Sequence, residues 1–267
     1  MAASANPRLS RLDFVLSWAG VGLAVVAWLV IVLSGKELPS TVFAEPVFAL
    51  AFWMIFASGV LLLIPAFRRF GLKGMQLIGL GIVLNLGIML VFHFSHIPVY
   101  FSVLGSAFAG FAAGPSMGMT VGVLSTLLGS VFYPEQMPTI LLAMIPGAVV
   151  WYLFAEQLIT TVGSLFVAGS LLALASSVIM VVNRLTAIEE IEHIGAKNLN
   201  YFFEMVLEDP VQALVAQTLV TQFLDKLLLL FIGYALLQFL LPIWKIHTLC
   251  LTEPAITISE HAVRSRD

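Results

Sequence analysis

Charge is scarce in this chain. Of 267 residues, 10% are Asp, Glu, Lys or Arg, against about 25% in an ordinary soluble domain. Acids slightly outnumber bases, 15 to 12, for a net charge of −3, which disfavours a polybasic membrane anchor and a nucleic-acid-binding face. One cysteine, Cys250, excludes an internal disulfide and a multi-thiolate metal site within one chain. Catalytic signatures are missing too: there is no H-E-x-x-H, G-x-S-x-G, P-loop or GxGxxG. Without them the chain is not expected to be an enzyme or to carry a cofactor.

What it has is apolar surface. Hydrophobic residues make up 60% of the chain and mean hydropathy is +1.05, more than a soluble core of this size can hide. The expected class is all-α, a polytopic integral membrane helical bundle. About 20 apolar residues are needed to cross about 30 Å of hydrocarbon. Such runs occur at Phe14–Leu33, Val47–Phe67 and Met75–Phe94, then Met137–Phe154, Ile159–Val182 and Ala213–Ile243. Val99–Phe132 is long enough for two helices and is broken at Gly114-Pro115. The expectation is about eight transmembrane helices, the first of them a span rather than a secretory leader.

Eight alternating spans put both termini on one side, which then carries Arg8, Arg11, Arg68, Arg69, Lys73, Lys245, Arg264 and Arg266. The other side carries Lys36, Arg184 and Lys197, with an acidic linker that includes Glu189, Glu190, Glu192, Glu204, Glu208 and Asp209. The positive-inside rule therefore predicts a multi-pass protein of a bacterial inner or plasma membrane with both termini cytoplasmic.

Two stretches depart from plain membrane filler. In the first, small residues recur every four positions: Ser106, Gly110 and Gly114 on one row, Ala109 and Ala113 on another, with Gly118 and Gly122 beyond the turn. Gly105, Gly110, Gly114, Pro115, Gly118 and Gly122 are the expected helix-packing residues, because small side chains let backbones approach closely in lipid. In the second, Thr218, Thr221, Gln222 and Asp225 follow helical spacing inside the last span. An ionisable residue at membrane depth faces protein or a water-filled cavity. Thr218, Thr221, Gln222, Asp225 and Lys226 are therefore candidate substrate-binding residues. The competing reading is a structural clasp, with Lys226 reaching a group on a neighbouring span.

Three further features are weaker. The amphipathic linker from Arg184 to Asp209 either lies on the membrane surface or folds over the outer mouth as a lid. His93 and His96 with Glu135 make too sparse a set to be assigned a metal. Asn85 reads as an interhelical hydrogen-bond donor.

From Met75 onward the order of features resembles the substrate-binding S components of energy-coupling factor (ECF) vitamin transporters. The resemblance rests on GLGIVLNLGIMLVFHFSHIPVYF, the GFAAGPSMGMTVGVLSTLLG block, MPTILLAMIPGAVVWYLF and the closing FLDKLLLLFIGYALLQFLLP with its Asp-Lys pair. It implies an S-component-like six-helix core over 75–244, preceded by two extra helices in 1–74 and followed by a cytoplasmic tail over 245–267. It also implies a vitamin-like small-molecule substrate bound at the outer face, and partners in the form of a membrane scaffold and ATPase subunits. Two points differ from that family: Met75–Phe94 lacks an Ala-x-x-x-Ala docking motif, and two spans precede the core. Similar six-helix blocks resemble the membrane input regions of bacterial sensors, so a sensor or an assembly scaffold acting through a partner is the alternative function.

Overall fold

The computed structural model describes residues 11–93, 103–155, 162–186 and 194–244, and these are helical apart from short connections. In chain order the helices are α1 (Arg11–Ser34), α2 (Pro46–His93), α3 (Leu104–Ala113), α4 (Pro115–Phe132), α5 (Ile140–Ala155), α6 (Val162–Thr186), α7 (Ile194–Leu207) and α8 (Pro210–Trp244). A 3-10 turn, Pro134–Thr139, joins α4 to α5. Six of the helices are long and apolar enough to cross a membrane: α1, α2, α4, α6, α8, and α5 with its preceding turn.

α2 has 48 residues, about 72 Å at 1.5 Å per residue and far more than one bilayer crossing. It is two arms, broken at Gly71, where φ is +58° and ψ −144°. A side chain would be strained there. Thr120 Oγ1 of α4 donates to the Leu62 carbonyl, and Gly59 lies against Leu124, so along the first arm the α4 partner number falls. Along the second arm it rises: Gly81 meets Val121 and Asn85 reaches Ser125. The arms thus form an antiparallel hairpin with α4 against both.

Gly114 (φ +97°) makes the second sharp reversal, followed by Pro115 at the start of α4, where a missing N–H costs nothing. α3 folds back along α4, and α5 runs antiparallel to α4, with Ala143 at Gly122 and Gly147 at Gly118. A Cβ on Gly110 or Gly118 would collide with the Gly147 backbone, and one on Gly105 with that of Gly81. Glycine is required at these crossings for that reason, and its backbone contacts replace the hydrophobic drive that lipid removes.

α3 has only ten residues, so its N-terminus lies inside the bundle rather than at its edge. Asn85 supplies the cap from the second arm of α2. Its Oδ1 accepts from the Gly105 and Ser106 amides at 2.6 and 3.3 Å. Its Nδ2 donates to Ser106 Oγ at 2.9 Å and to Ser125 Oγ at 3.0 Å. Four hydrogen bonds use the full capacity of the amide and satisfy donors that a helix start leaves open.

α1 lies antiparallel to the first arm of α2. Asp13 pairs with Arg68 near the Gly71 end, and Ser58 Oγ donates to the Gly20 carbonyl. α1 is also tied to the later helices: Trp28 Nε1 donates to Asn183 Oδ1 at 2.7 Å, and Asn183 Nδ2 donates to the Pro138 carbonyl at 2.9 Å. Large apolar side chains such as Trp53, Phe56, Val83 and Leu171 stay exposed around the bundle, as a lipid-facing belt requires.

Candidate functional site

α6 and α8 pack antiparallel, and between them they hold every fully charged side chain buried among the described residues: Arg184, Asp225 and Lys226. The α8 row predicted from spacing is buried along its length. Thr218, Thr221, Gln222, Asp225 and Lys226 are all between 0% and 3% exposed. The neighbouring α6 also buries polar residues, Ser176, Ser177, Asn183 and Arg184, and Arg184 reaches α8.

The row is anchored at one end by Arg184. Its Nη1 donates to Gln217 Oε1 and, at 3.1 Å, to Thr218 Oγ1. Gln217 in turn donates to Thr221 Oγ1 at 3.5 Å, and Thr221 donates to the carbonyls of Gln217 and Thr218, both at 3.0 Å. A guanidinium shared between neutral oxygens keeps its donors satisfied at a depth where an unsatisfied charge would be expensive. Arg184 is only 7% exposed. It therefore belongs to the helical bundle, and the sequence-based placement of it in an extracytoplasmic linker is corrected: α6 continues through Thr186.

At the other end, Lys226 Nζ donates to Asp225 Oδ2. The partner of Lys226 is its own neighbour on α8. The expectation that it reaches a neighbouring span is thus overturned. The neighbouring carboxylate meets the ammonium's need for a counter-charge.

Between these ends the bonding is incomplete. Gln222 Oε1 and Ser176 Oγ are buried side-chain oxygens with no hydrogen-bond partner. Of the α8 candidates, Gln222 alone keeps an open acceptor.

The glycine candidates form a separate region, at the α3–α4–α5 and α2–α3 crossings described above. Gly147, the residue on which Gly110 and Gly118 converge, is not evident from the α3–α4 spacing because it lies on a third helix. Gln217, Asn183 and Ser176 were likewise missed. The signal for Ser176 and Asn183 was positional, since 176, 180 and 183–184 continue the buried stripe of α6, and Gln217 sits one turn before Thr221 on α8. α7 packs beside α8 but turns Tyr201, Phe202, Met205 and Val206 outward. His96 and the side chain of His93 lie outside the described residues. Among the described residues, no three His, Cys, Asp or Glu side chains cluster as metal ligands.

No family model matches the chain, and neither a curated protein nor a solved structure matches it.

Proposed function

We propose that this protein is a substrate-binding membrane subunit of the ECF S-component type, taking a small, vitamin-like molecule into a site between α6 and α8. It works without an ATP site of its own, so uptake depends on a membrane scaffold and ATPase subunits supplied by partners. In this reading it sits in a bacterial inner membrane with both termini cytoplasmic, and the polar row opens toward the outer side. The 75–244 segment is the binding core, and the 1–74 helices are an addition to it.

The observation that supports the reading is the buried polar row on α8, extended across the interface by α6. Polar groups inside a membrane bundle carry an insertion cost that a purely packing interface avoids. A second reading, a sensor or assembly scaffold, draws on the saturation at the ends of the row: Arg184 with Gln217 and Thr218, and Lys226 with Asp225. Those bonds fix two helices together with or without a ligand.

Native mass spectrometry of protein gently purified from its own membranes tests the two readings. The importer reading expects a bound small molecule, or co-purified ATPase and scaffold subunits. An empty protein, or one held by an unrelated membrane or signalling partner, moves the assignment to the second reading.

A further inference from the structure

Most of the buried polar atoms in this bundle are accounted for. Asn85 is saturated by α3 and α4, Asn183 by Trp28 and Pro138, and the α8 hydroxyls by Arg184 and by backbone. Among the described residues Gln222 Oε1 and Ser176 Oγ are exceptions, one on each helix of the packed α6–α8 pair. Ser176 is 0% exposed and Gln222 3% exposed.

Their placement follows from two fixed points. Arg184 meets Gln217 and Thr218 at one level, and Gly169 lies against Leu227 at another. Ser176 is seven residues, or two helical turns, beyond Gly169. It therefore stands near the same row of α6, between Gly169, which meets α8, and Asn183, seven residues further on, which meets Trp28 and Pro138. Gln222 lies one turn below Thr218 on the face that meets Arg184. Both oxygens thus fall in the layer between the two fixed points, one from each helix.

We infer that Ser176 and Gln222 are the paired hydrogen-bonding contacts for an uncharged ligand group that carries its own donor, an amide N–H or a hydroxyl. This rests on the substrate-binding reading above and names the chemistry of that site. The carbonyl oxygen of Gln222 accepts, and the Ser176 hydroxyl accepts or donates. A buried acceptor left without a donor is unfavourable, so a group that brings one is selected over an isostere that does not. The ligand group is neutral because the two atoms it meets are dipoles. An ionised carboxylate or phosphate set between them would have to draw Arg184 away from Gln217 and Thr218 to gain a counter-charge. The nearest ammonium, Lys226, is committed to Asp225.

A trapped water offers the same chemistry as a ligand, and the experiment separates the two. Native mass spectra would be recorded for the wild type, Gln222→Leu and Ser176→Ala, purified identically, with intrinsic Trp fluorescence melting curves as the check on folding. The expected result is a small-molecule adduct on the wild type whose occupancy falls about ten- to a hundredfold in each folded variant. Tandem fragmentation should identify a neutral amide- or hydroxyl-bearing compound. Ser176→Ala removes one oxygen and carries the test if Gln222→Leu does not fold. An adduct retained at wild-type occupancy in the folded variants would overturn this inference and leave the substrate-binding reading standing. So would an adduct with only ionised polar groups. A wild type with no adduct at all would mean that water fills the layer and would overturn this inference; the substrate-binding reading would fall with it only if no ATPase or scaffold subunit co-purified either.

Discussion

Asp225 and Lys226 form an ion pair inside α8, and its burial gives the pair a consequence for stability. Each is almost fully buried, and each has the other within hydrogen-bonding reach. Removing one partner of a buried ion pair leaves an uncompensated charge and costs about 3–5 kcal/mol, whereas replacing both with apolar residues of similar size is close to neutral. Asp225→Asn is therefore expected to lower the melting temperature of the detergent-solubilised protein strongly. Asp225→Leu combined with Lys226→Met should restore most of it. A double variant as unstable as the single one would show that the pair contributes more than mutual neutralisation. Asn85 carries a different burden. Asn85→Ala exposes the Gly105 and Ser106 amides and two hydroxyls to an apolar interior, and each orphaned group costs about 1–3 kcal/mol. The expected outcome is a loss of thermal stability larger than the ~1 kcal/mol typical of a surface helix cap. A change at or below that size in the same melting assay would mean that α3 finds its donors another partner.

The membrane-length helices were legible because each is an apolar run bounded by polar or turn residues, whereas α7 lies in the stretch read as an amphipathic linker. The runs at 14–33, 47–67 and 75–94 correspond to α1 and the two arms of α2, and the Gly114-Pro115 break separates α3 from α4. Less legible was which helix meets which. Spacing put Gly110 and Gly118 on packing faces, yet nothing in that pattern pointed to Gly147 on α5, because a crossing between distant segments leaves no local periodicity. Arg184 was misplaced for a related reason: a cation after an apolar run ordinarily reads as a loop residue, and its partners lie 33 and 34 positions away. The glycines now separate into two classes. A Cβ on Gly110, Gly118 or Gly147 would collide with backbone, whereas one on Gly79 or Gly87 meets nothing within 4 Å. Alanine at any of the first three is expected to force α3, α4 and α5 apart and lower folded yield and melting temperature. Alanine at Gly79 or Gly87 should be neutral, or stabilising by about 0.4–1 kcal/mol through the unfolded state. Equal behaviour of the two classes in size-exclusion and melting assays would remove close backbone contact as the basis of this packing.

The charges of the assembled bundle bear on which way it faces. Gly71 and Gly114 turn at the same end, because Gly74, three residues past the first turn, lies against Met117, three residues past the second. That end gathers Arg11, Arg68, Arg69 and Lys73, with Arg68 held by Asp13. The opposite end presents Lys36 in an ion pair with Glu45. Arg184 also lies toward that end, but α8 takes it into the bundle. A cation that is bonded to helix side chains and removed from the loop weighs less in a loop count, so the asymmetry between the two ends is sharper than the linear sequence suggests. The Gly71 end is therefore expected to face the cytoplasm. The polar row then begins at the outer end of α8, where a ligand arriving from outside would meet Gln217 and Thr218 before Gln222. Single cysteines at Lys36 and Lys73, both exposed positions, would be introduced in a Cys250→Ser background and treated with a membrane-impermeant maleimide. Lys36→Cys should be modified in intact cells and Lys73→Cys only after lysis. The reverse pattern would invert the bundle and place the mouth of the polar row inside the cell, turning an uptake route into one for a cytoplasmic ligand. Modification of both in intact cells would mean that the charge difference between the ends is too small to fix a single orientation.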